Sequence, residues 1–280
     1  MRALDLFTGY GGITLALRDY VRPIGYCEIE EYAQRIIASR MADGSLPRAP
    51  IFADIKNLRG SIGVCDIIYG GFPCQDISFA GRGAGLEGKR SGLFYEIIRL
   101  TKEINPPFVF LENVPAIRTR GLREVIGAFT EIGYDCRWTC ISAASVGAPH
   151  KRERWFLLAH ANSDRWQERV SIQAQDKNPS LQLKWTSKEQ FLADKLHDTT
   201  KQRLERWLEP AEAWQALAEC SSSGQYFGIQ GLPQPTILRD VDGFENRLDR
   251  LKAIGNGVVP LQVKTAFEKL IGVTNDPPTT

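Results

Sequence analysis

A cysteine and a glutamate, each placed where an apolar segment gives way to polar residues, are the clearest candidates for chemistry in this sequence. Cys74 lies in the loop GGFPCQDIS, where Pro73 stiffens the position before it. A loop thiol can act as a nucleophile when its thiolate is stabilised, although an isolated loop cysteine is more often simply packed. Glu112 follows the apolar stretch FVFL. A carboxyl group there can hydrogen-bond a heterocycle and share its proton.

Two arginines add a basic group to these candidates. Arg152 and Arg154, in the run HKRER, precede the apolar stretch WFLLA. One interpretation is an exposed basic run. The other is contact with an anion, or stabilisation of negative charge developing on oxygen, which the planar guanidinium suits. A cysteine protease is not favoured, because none of the three histidines lies in a recognisable protease pattern.

A glycine turn and two carboxylates suggest a site for a nucleoside. In the stretch 7–12 (FTGYGG), a strand ends, glycines turn the backbone and a helix begins. Glycines allow a ligand to approach the main chain, although a turn of this kind can also be purely structural. Glu28 could accept hydrogen bonds from two ribose hydroxyls, and Asp54 could meet an adenine amino group. We expect a side chain added at Gly11 to collide with such a ligand.

The elements that must position these residues alternate along the first part of the chain. This alternation predicts an α/β fold, with a doubly wound and mostly parallel sheet. Ligands of such sheets bind beyond the carboxyl ends of the strands, where the polar segments above fall. The predicted strands are 2–7, 22–27, 66–69 and 106–114, with closing strands near 134–142 and 154–160, and the predicted helices are 13–20, 30–40, 91–104 and 122–134.

Composition sets broad limits. The 280 residues are 43% hydrophobic and 24% charged, which is typical of a soluble globular protein. No apolar run has the length of a membrane span. The sequence enters its first strand at once, which leaves no signal peptide and predicts a cytoplasmic protein. Six scattered cysteines indicate reduced thiols, and the Cys136–Cys140 spacing, with no second pair nearby, does not favour zinc.

The character of the chain changes after about residue 160. Residues 161–249 hold four of the six tryptophans, and their charged residues give a net of −3 against +2 for the whole chain. The alternating pattern stops there and returns as a turn and an apolar helix at 250–272. We therefore predict a catalytic domain formed by 1–160 and 250–272, an inserted recognition domain at 161–249, and a disordered tail at 273–280.

Five segments, taken in order, resemble the DNA cytosine-5 methyltransferase family as found in bacteria and phages. They are FTGYGG, PCQ, ENV, the R-x-R run and the C-terminal GNGVVP. The resemblance implies a Rossmann-like methyltransferase fold with S-adenosylmethionine as cofactor. It also implies methyl transfer to C5 of cytosine in double-stranded DNA, through a covalent adduct with Cys74 and with the target base flipped out of the helix.

The resemblance also assigns roles to individual residues. Catalytic roles fall to Cys74, Glu112, Arg154 and Arg152, and contacts with the substrate fall to Gln75, Ser78, Asn113 and Val114. Cofactor contacts fall to Phe7, Gly9, Gly11, Gly12, Glu28, Ile29, Asp54, Ile55, Pro73, Asn256 and Val258. No metal is implied. Two departures from the family pattern are His150, where a glutamine is usual, and the lack of the motif that normally precedes GNGVVP.

Two other functions share these residues. A tRNA cytosine-5 methyltransferase would use Cys74, Glu112 and Arg154 in the same way and read folded RNA through its recognition domain. A non-catalytic DNA-binding relative would be expected to lack one of these residues, and all are present. We expect a monomer without membrane contacts. A cognate endonuclease of a restriction–modification system is a further candidate partner.

Overall fold

Seven strands form one sheet in the computed structural model, in the order β3-β2-β1-β4-β5-β7-β6. The structure describes residues 1–73, 92–165, 167 and 257–272. Strands β1 to β5 run parallel, whereas β7 pairs antiparallel with β5, and β6 pairs antiparallel with β7. The strands are β1 Arg2–Leu6, β2 Arg22–Cys27, β3 Ile51–Phe52, β4 Ile67–Gly71, β5 Phe108–Asn113, β6 Tyr134–Ser142 and β7 Glu153–Ala161. The predicted Rossmann-like α/β fold with a mostly parallel sheet is confirmed.

Helices cover both faces of this sheet. In the described residues they are α1 Gly12–Ala16, α2 Glu31–Ala42, α3 Gly92–Ile104, α4 Ile117–Arg120, α5 Leu122–Glu131 and α6 Pro260–Ile271, with a 3-10 turn at Ala144–Val146. The first helix is shorter than the predicted 13–20. After Leu17 the chain makes a turn closed by the Tyr20 N–H to the Leu17 carbonyl at 2.8 Å, and this turn leads directly into β2.

Two apolar cores flank the sheet because the central strands are buried on both faces. One core joins α3 and α5 to the sheet and includes Phe94 and Phe129. The other joins α1 and α6 and includes Ile13 and Phe267. The sheet is therefore held rigidly, and its upper edge, where the parallel strands end and β7 begins, can position side chains accurately.

Strand β7 ends near the predicted boundary between the catalytic and recognition domains. Strand β7 continues through Ala161, and the next residue, Asn162, donates its backbone N–H to the Gly133 carbonyl at 2.9 Å. Most of the predicted recognition domain and the predicted tail lie outside the described residues, so this division stays a prediction.

In the described ranges no helix combines the length and apolar character needed to cross a membrane.

Candidate functional site

The turn between β1 and α1 brings the backbone to the upper edge of the sheet in a strained conformation. Phe7, Gly9 and Gly11 all have positive φ, at 53°, 55° and 78°. No described atom lies within 4 Å of a Cβ placed on Gly9, whereas a Cβ on Gly11 would come within 2.7 Å of Leu46 Cδ1. A side chain at Gly11 thus clashes first with the protein itself, and Gly9 faces open space that a ligand can use.

Glu28 is fixed beside this turn at the end of β2. Its Oε2 accepts the Gly9 N–H at 2.7 Å, and its Oε1 accepts the Glu30 N–H at 2.9 Å. The side chain of Gln34 in α2 donates to the Glu28 carbonyl at 2.6 Å. Glu28 is buried. Each carboxylate oxygen keeps a further lone pair, so this carboxylate is oriented and can still accept two hydroxyl donors.

Exposed apolar side chains lie next to Glu28. Ile29 is 71% exposed and Phe52 is 37% exposed, which makes them two of the three exposed large hydrophobic residues in the described part of the chain. Asp54 follows β3 and accepts the Lys56 N–H at 2.9 Å, while the neighbouring Ile55 is buried. A flat heterocycle with an amino group would find both an apolar surface and a carboxylate here.

A buried polar network supports the turn from below. Thr14 of α1 donates to Asp5 Oδ2 at 2.6 Å, and its hydroxyl is 2.7 Å from the Tyr69 hydroxyl. Burial raises the pKa of Asp5 to about 7, although hydrogen bonds from Thr14 and Thr8 act in the opposite direction. This network joins β1, β4 and α1 under the predicted cofactor site. The only signal for it in the sequence was a charged residue inside an apolar strand.

Glu112 and Arg154 form an ion pair at the ends of β5 and β7. Arg154 Nε lies 2.8 Å from Glu112 Oε1, and both side chains are largely buried. Glu112 pairs with Phe156 in the antiparallel register, which places Arg154 diagonally opposite on the same face. The other carboxylate oxygen, Oε2, lies 2.8 Å from the position that a Cβ on Gly71 would take.

The protonation of Glu112 is set by opposing effects. Burial raises the pKa of this carboxyl, and the positive charges of Arg154 and Arg152 offset part of that effect. Burial, together with repulsion from Arg154, lowers the pKa of Arg152. Glu112 can therefore hold a proton at a higher pH than an ordinary carboxyl group.

Asn113, at the end of β5, is hydrogen-bonded to the chain that leaves β4. The Asn113 side chain is buried and donates to the Phe72 carbonyl at 3.1 Å, and its own oxygen accepts the Val114 N–H at 2.8 Å. Asn113 thus fixes the chain two residues before Cys74. The predicted contact of Asn113 and Val114 with substrate stays a prediction.

Several predicted site residues lie outside the described residues, namely Cys74, Gln75, Ser78 and Asn256. Pro73, the last described residue before Cys74, is exposed. Burial raises the pKa of the Cys27 and Cys136 thiols to about 12 and also raises that of Cys140. These three thiols are thus poor nucleophiles at neutral pH. No group of His, Cys, Asp and Glu side chains suited to a metal occurs in the described part.

Residues 257–262, here called the C-terminal segment, contact both Arg152, which lies near the Glu112–Arg154 pair, and the glycine turn. Arg152 Nη2 donates to the Gly257 carbonyl at 2.5 Å, and a Cβ on Gly12 would come within 2.8 Å of Val258 Cγ2. Gln262, which was not among the predicted site residues, is fully buried and donates to the carbonyls of Ile141 and Arg152 at 2.7 and 2.8 Å. A polar residue on the buried side of an apolar helix was the available signal for it.

Known proteins resemble somewhat more than half of this chain. Curated relatives include the Type II methyltransferase M.CviJI of Paramecium bursaria Chlorella virus IL3A, 40% identical over 56% of this chain and 42% of its own length. Another is M.HhaI of Haemophilus parahaemolyticus, 33% identical over 58% of this chain and 50% of its own length. The alignments span about half the length of these relatives.

Two solved structures are also similar to part of this chain. A DNA modification methyltransferase encoded within an Escherichia coli prophage is 26% identical, with a TM-score of 0.47, over 57% of this chain and 47% of its own. A Spodoptera frugiperda DNMT2 variant is 20% identical, with the same TM-score of 0.47, over 58% of this chain and 50% of its own. The family model described as C-5 cytosine-specific DNA methylase matches residues 1–230, well over half of the chain. The chain therefore belongs to the C-5 cytosine-specific DNA methylase family.

Proposed function

We propose that this protein transfers a methyl group from S-adenosylmethionine to C5 of cytosine in double-stranded DNA, with Cys74 as the nucleophile. The observation that carries the proposal is the Glu112–Arg154 pair, with a distance of 2.8 Å and a raised glutamate pKa. The pair lies on the same sheet edge as the glycine turn and Glu28. Membership of the family supports the same reaction.

The residues near the glycine turn fit the proposed cofactor. Glu28 would accept the ribose hydroxyls, Ile29 would cover one face of the adenine, and Asp54 would accept its amino group. The open space at Gly9 leaves room for the ligand beside the backbone. When bound there, S-adenosylmethionine supplies an electrophilic methyl group on a sulfonium sulfur. Phe7, Ile55, Pro73, Asn256 and Val258 complete the proposed set.

The remaining chemistry belongs to the chain's own residues. Cytosine C5 is a weak nucleophile until the Cys74 thiolate adds to C6, which makes C5 enamine-like and able to take the methyl group. Glu112 in its protonated form would donate to N3 as electron density moves there, and Arg154 would stabilise the charge at O2. Transfer of the C5 proton to solvent water then expels the Cys74 thiolate, and return of the N3 proton to Glu112 restores the ring. The base must leave the helix for this, because a stacked base is inaccessible.

Trapping of the adduct tests both the reaction and the nucleophile. Fluorine at C5 blocks proton loss, so a pool of random-sequence duplexes containing 5-fluorocytosine should bind the wild-type protein covalently in the presence of S-adenosylmethionine. Cys74→Ser should form no adduct and lose turnover, because a serine hydroxyl is far less ionised than a thiol. Cys140→Ser is the matched control and should be trapped normally. Mass spectrometry of the trapped peptide would contradict the assignment if it showed another cysteine.

The alternative substrate, tRNA, is tested by a parallel measurement. Methyl transfer from labelled S-adenosylmethionine would be measured on genomic DNA and on total tRNA. Transfer to tRNA alone would replace DNA as the proposed substrate and leave the roles of Glu112 and Arg154 unchanged. The relatives named as Type II methyltransferases make a partner endonuclease a reasonable proposal for this protein as well.

A further inference from the structure

The C-terminal segment is fastened to the start of β7 by reciprocal hydrogen bonds. The Arg152 side chain donates to the Gly257 carbonyl at 2.5 Å, and the Gln262 side chain donates back to the Arg152 carbonyl at 2.8 Å. Gln262 also donates to the Ile141 carbonyl of β6 at 2.7 Å. In sequence, these partners are 105 to 121 residues apart. The contacts therefore mark where the chain returns to the sheet after the predicted recognition domain.

The same arrangement fixes the strand that carries Arg154. The Arg152 carbonyl accepts a second donor, the Ala143 N–H, at 2.9 Å. Strand β7 begins at Glu153, one residue later, and Arg154 then meets Glu112. With its carbonyl held from two directions, the start of β7 has little freedom to turn. The position of the Arg154 side chain depends on that backbone.

On the side away from Arg152, the segment packs against the predicted cofactor turn. Val258 Cγ2 occupies the space beside Gly12, where an added Cβ would come within 2.8 Å. Val258 also packs against the core formed by α1 and α6. Residues 257–258 thus lie between Gly12, at the start of α1, and Arg152, at the start of β7.

We propose that Arg152 and Gln262 are positioning residues that clamp segment 257–258 between the cofactor turn and the Glu112–Arg154 pair, so that cofactor binding and the orientation of Arg154 both depend on this clamp. This rests on the proposed function, and it gives Arg152 a role different from direct catalysis. The guanidinium Nη2 binds a backbone carbonyl of the protein, so Arg152 acts on the segment through Gly257, in addition to the effect of its charge on the pKa of Glu112.

Cofactor affinity without DNA separates this role from contact with DNA. The dissociation constant for S-adenosylmethionine, measured by calorimetry, should rise about tenfold in Arg152→Gln, on the scale of one charge-assisted hydrogen bond. Arg152→Lys keeps a donor that can reach the Gly257 carbonyl and should restore most of the affinity. The matched control Arg154→Gln should lose turnover and keep its cofactor affinity within about twofold, since Arg154 binds Glu112 instead of the segment.

Hydrogen exchange gives a readout that does not need the cofactor. Amides of 257–263 should exchange faster in Arg152→Gln than in the wild type. If Arg152→Gln fails to unfold cooperatively, Gln262→Met takes its place, because it removes the donor to the Arg152 carbonyl at a residue outside the proposed cofactor set. This variant should also weaken cofactor binding. Unchanged affinity and exchange, together with a weaker salt dependence of DNA binding, would show that Arg152 contacts DNA and would overturn the clamp. A wild-type protein that binds the cofactor and methylates no DNA would refute the proposed function and leave the clamp testable.

Discussion

The Glu112 carboxylate has room at the end of β5 because Gly71, its neighbour on β4, lacks a side chain. A Cβ on Gly71 would lie only 2.8 Å from Glu112 Oε2. This is shorter than any comfortable contact between a methyl group and an oxygen, so the carboxylate would have to move. Any such movement would change its geometry with Arg154, whose Nε now lies 2.8 Å from Oε1.

We therefore predict that Gly71→Ala lowers turnover strongly and changes stability little. A displacement of about 1 Å at a catalytic group can cost on the order of 100-fold in rate. The rate of methyl transfer to DNA under saturating cofactor measures the effect. Gly127→Ala in α5 is the matched control, because no described atom lies within 4 Å of the added Cβ. Full activity of Gly71→Ala would show that Glu112 tolerates displacement.

At the residue scale, the sequence indicated which polar side chains belong to the site, but not which glycine leaves room for them. The positions of Glu28, Glu112 and Arg154 at strand ends were evident from polar residues that follow apolar runs. The role of Gly71 depends on a neighbour that is 41 residues away in sequence and adjacent only in the sheet. The raised pKa of Asp5 likewise depends on burial, which the Thr14 hydrogen bond offsets only in part, and sequence patterns quantify neither effect.

Among the elements, the turn between β1 and α1 contains two glycines with different tasks. Gly9 faces open space and Gly11 packs against Leu46, although both have positive φ. Gly9→Ala should cost about 1–2 kcal/mol of stability, the usual cost of a left-handed alanine. Gly11→Ala adds overpacking against a buried leucine, for a total of roughly 2–5 kcal/mol.

Cofactor binding should separate the two variants further. We predict that Gly9→Ala weakens S-adenosylmethionine binding more than its loss of stability would suggest, because the new methyl group enters the proposed ligand space. Urea unfolding and calorimetry on the same preparations measure the two quantities. Native cofactor affinity in Gly9→Ala would mean that the ligand does not use that space.

The elements themselves were largely predictable, because apolar runs and helical spacing mark them clearly. Their order in the sheet was not, since the placement of β7 between β5 and β6 depends on long-range antiparallel pairing. That placement brings Arg154 next to Glu112. In α6, the buried positions Gln262, Ala266 and Leu270 lie on one face, so a polar residue within an apolar stripe was the visible sign of the clamp.

For the whole molecule, charge distribution is more informative than the net charge of +2. Residues 161–249 carry a net of −3, so we expect attraction to phosphate to come largely from the remaining residues. Family membership could be predicted from short segments spread along the chain. A target sequence could not be predicted, because base readout depends on the placement of individual side chains in the predicted recognition domain, whose sequence has no periodic pattern.

The upper edge of the sheet carries a basic surface next to Glu112. Arg118 and Arg120 lie in α4, directly after β5, and both are exposed. Neither forms an ion pair within the described ranges, and Glu124 is the single acidic residue between positions 114 and 130. Arginines placed this way can bind the phosphates that flank a flipped base.

We predict that the double variant Arg118→Gln/Arg120→Gln binds DNA more weakly and with a smaller dependence on salt. Each lost phosphate contact should reduce the slope of log K against log salt concentration by about 0.9, because fewer counterions are released. Fluorescence anisotropy with one duplex at several salt concentrations measures the slope. Arg22→Gln/Lys102→Gln is the matched control, since both residues are exposed, Arg22 at the opposite edge of the sheet and Lys102 in the last turn of α3. Equal slopes for the two double variants would place the DNA backbone elsewhere on the molecule.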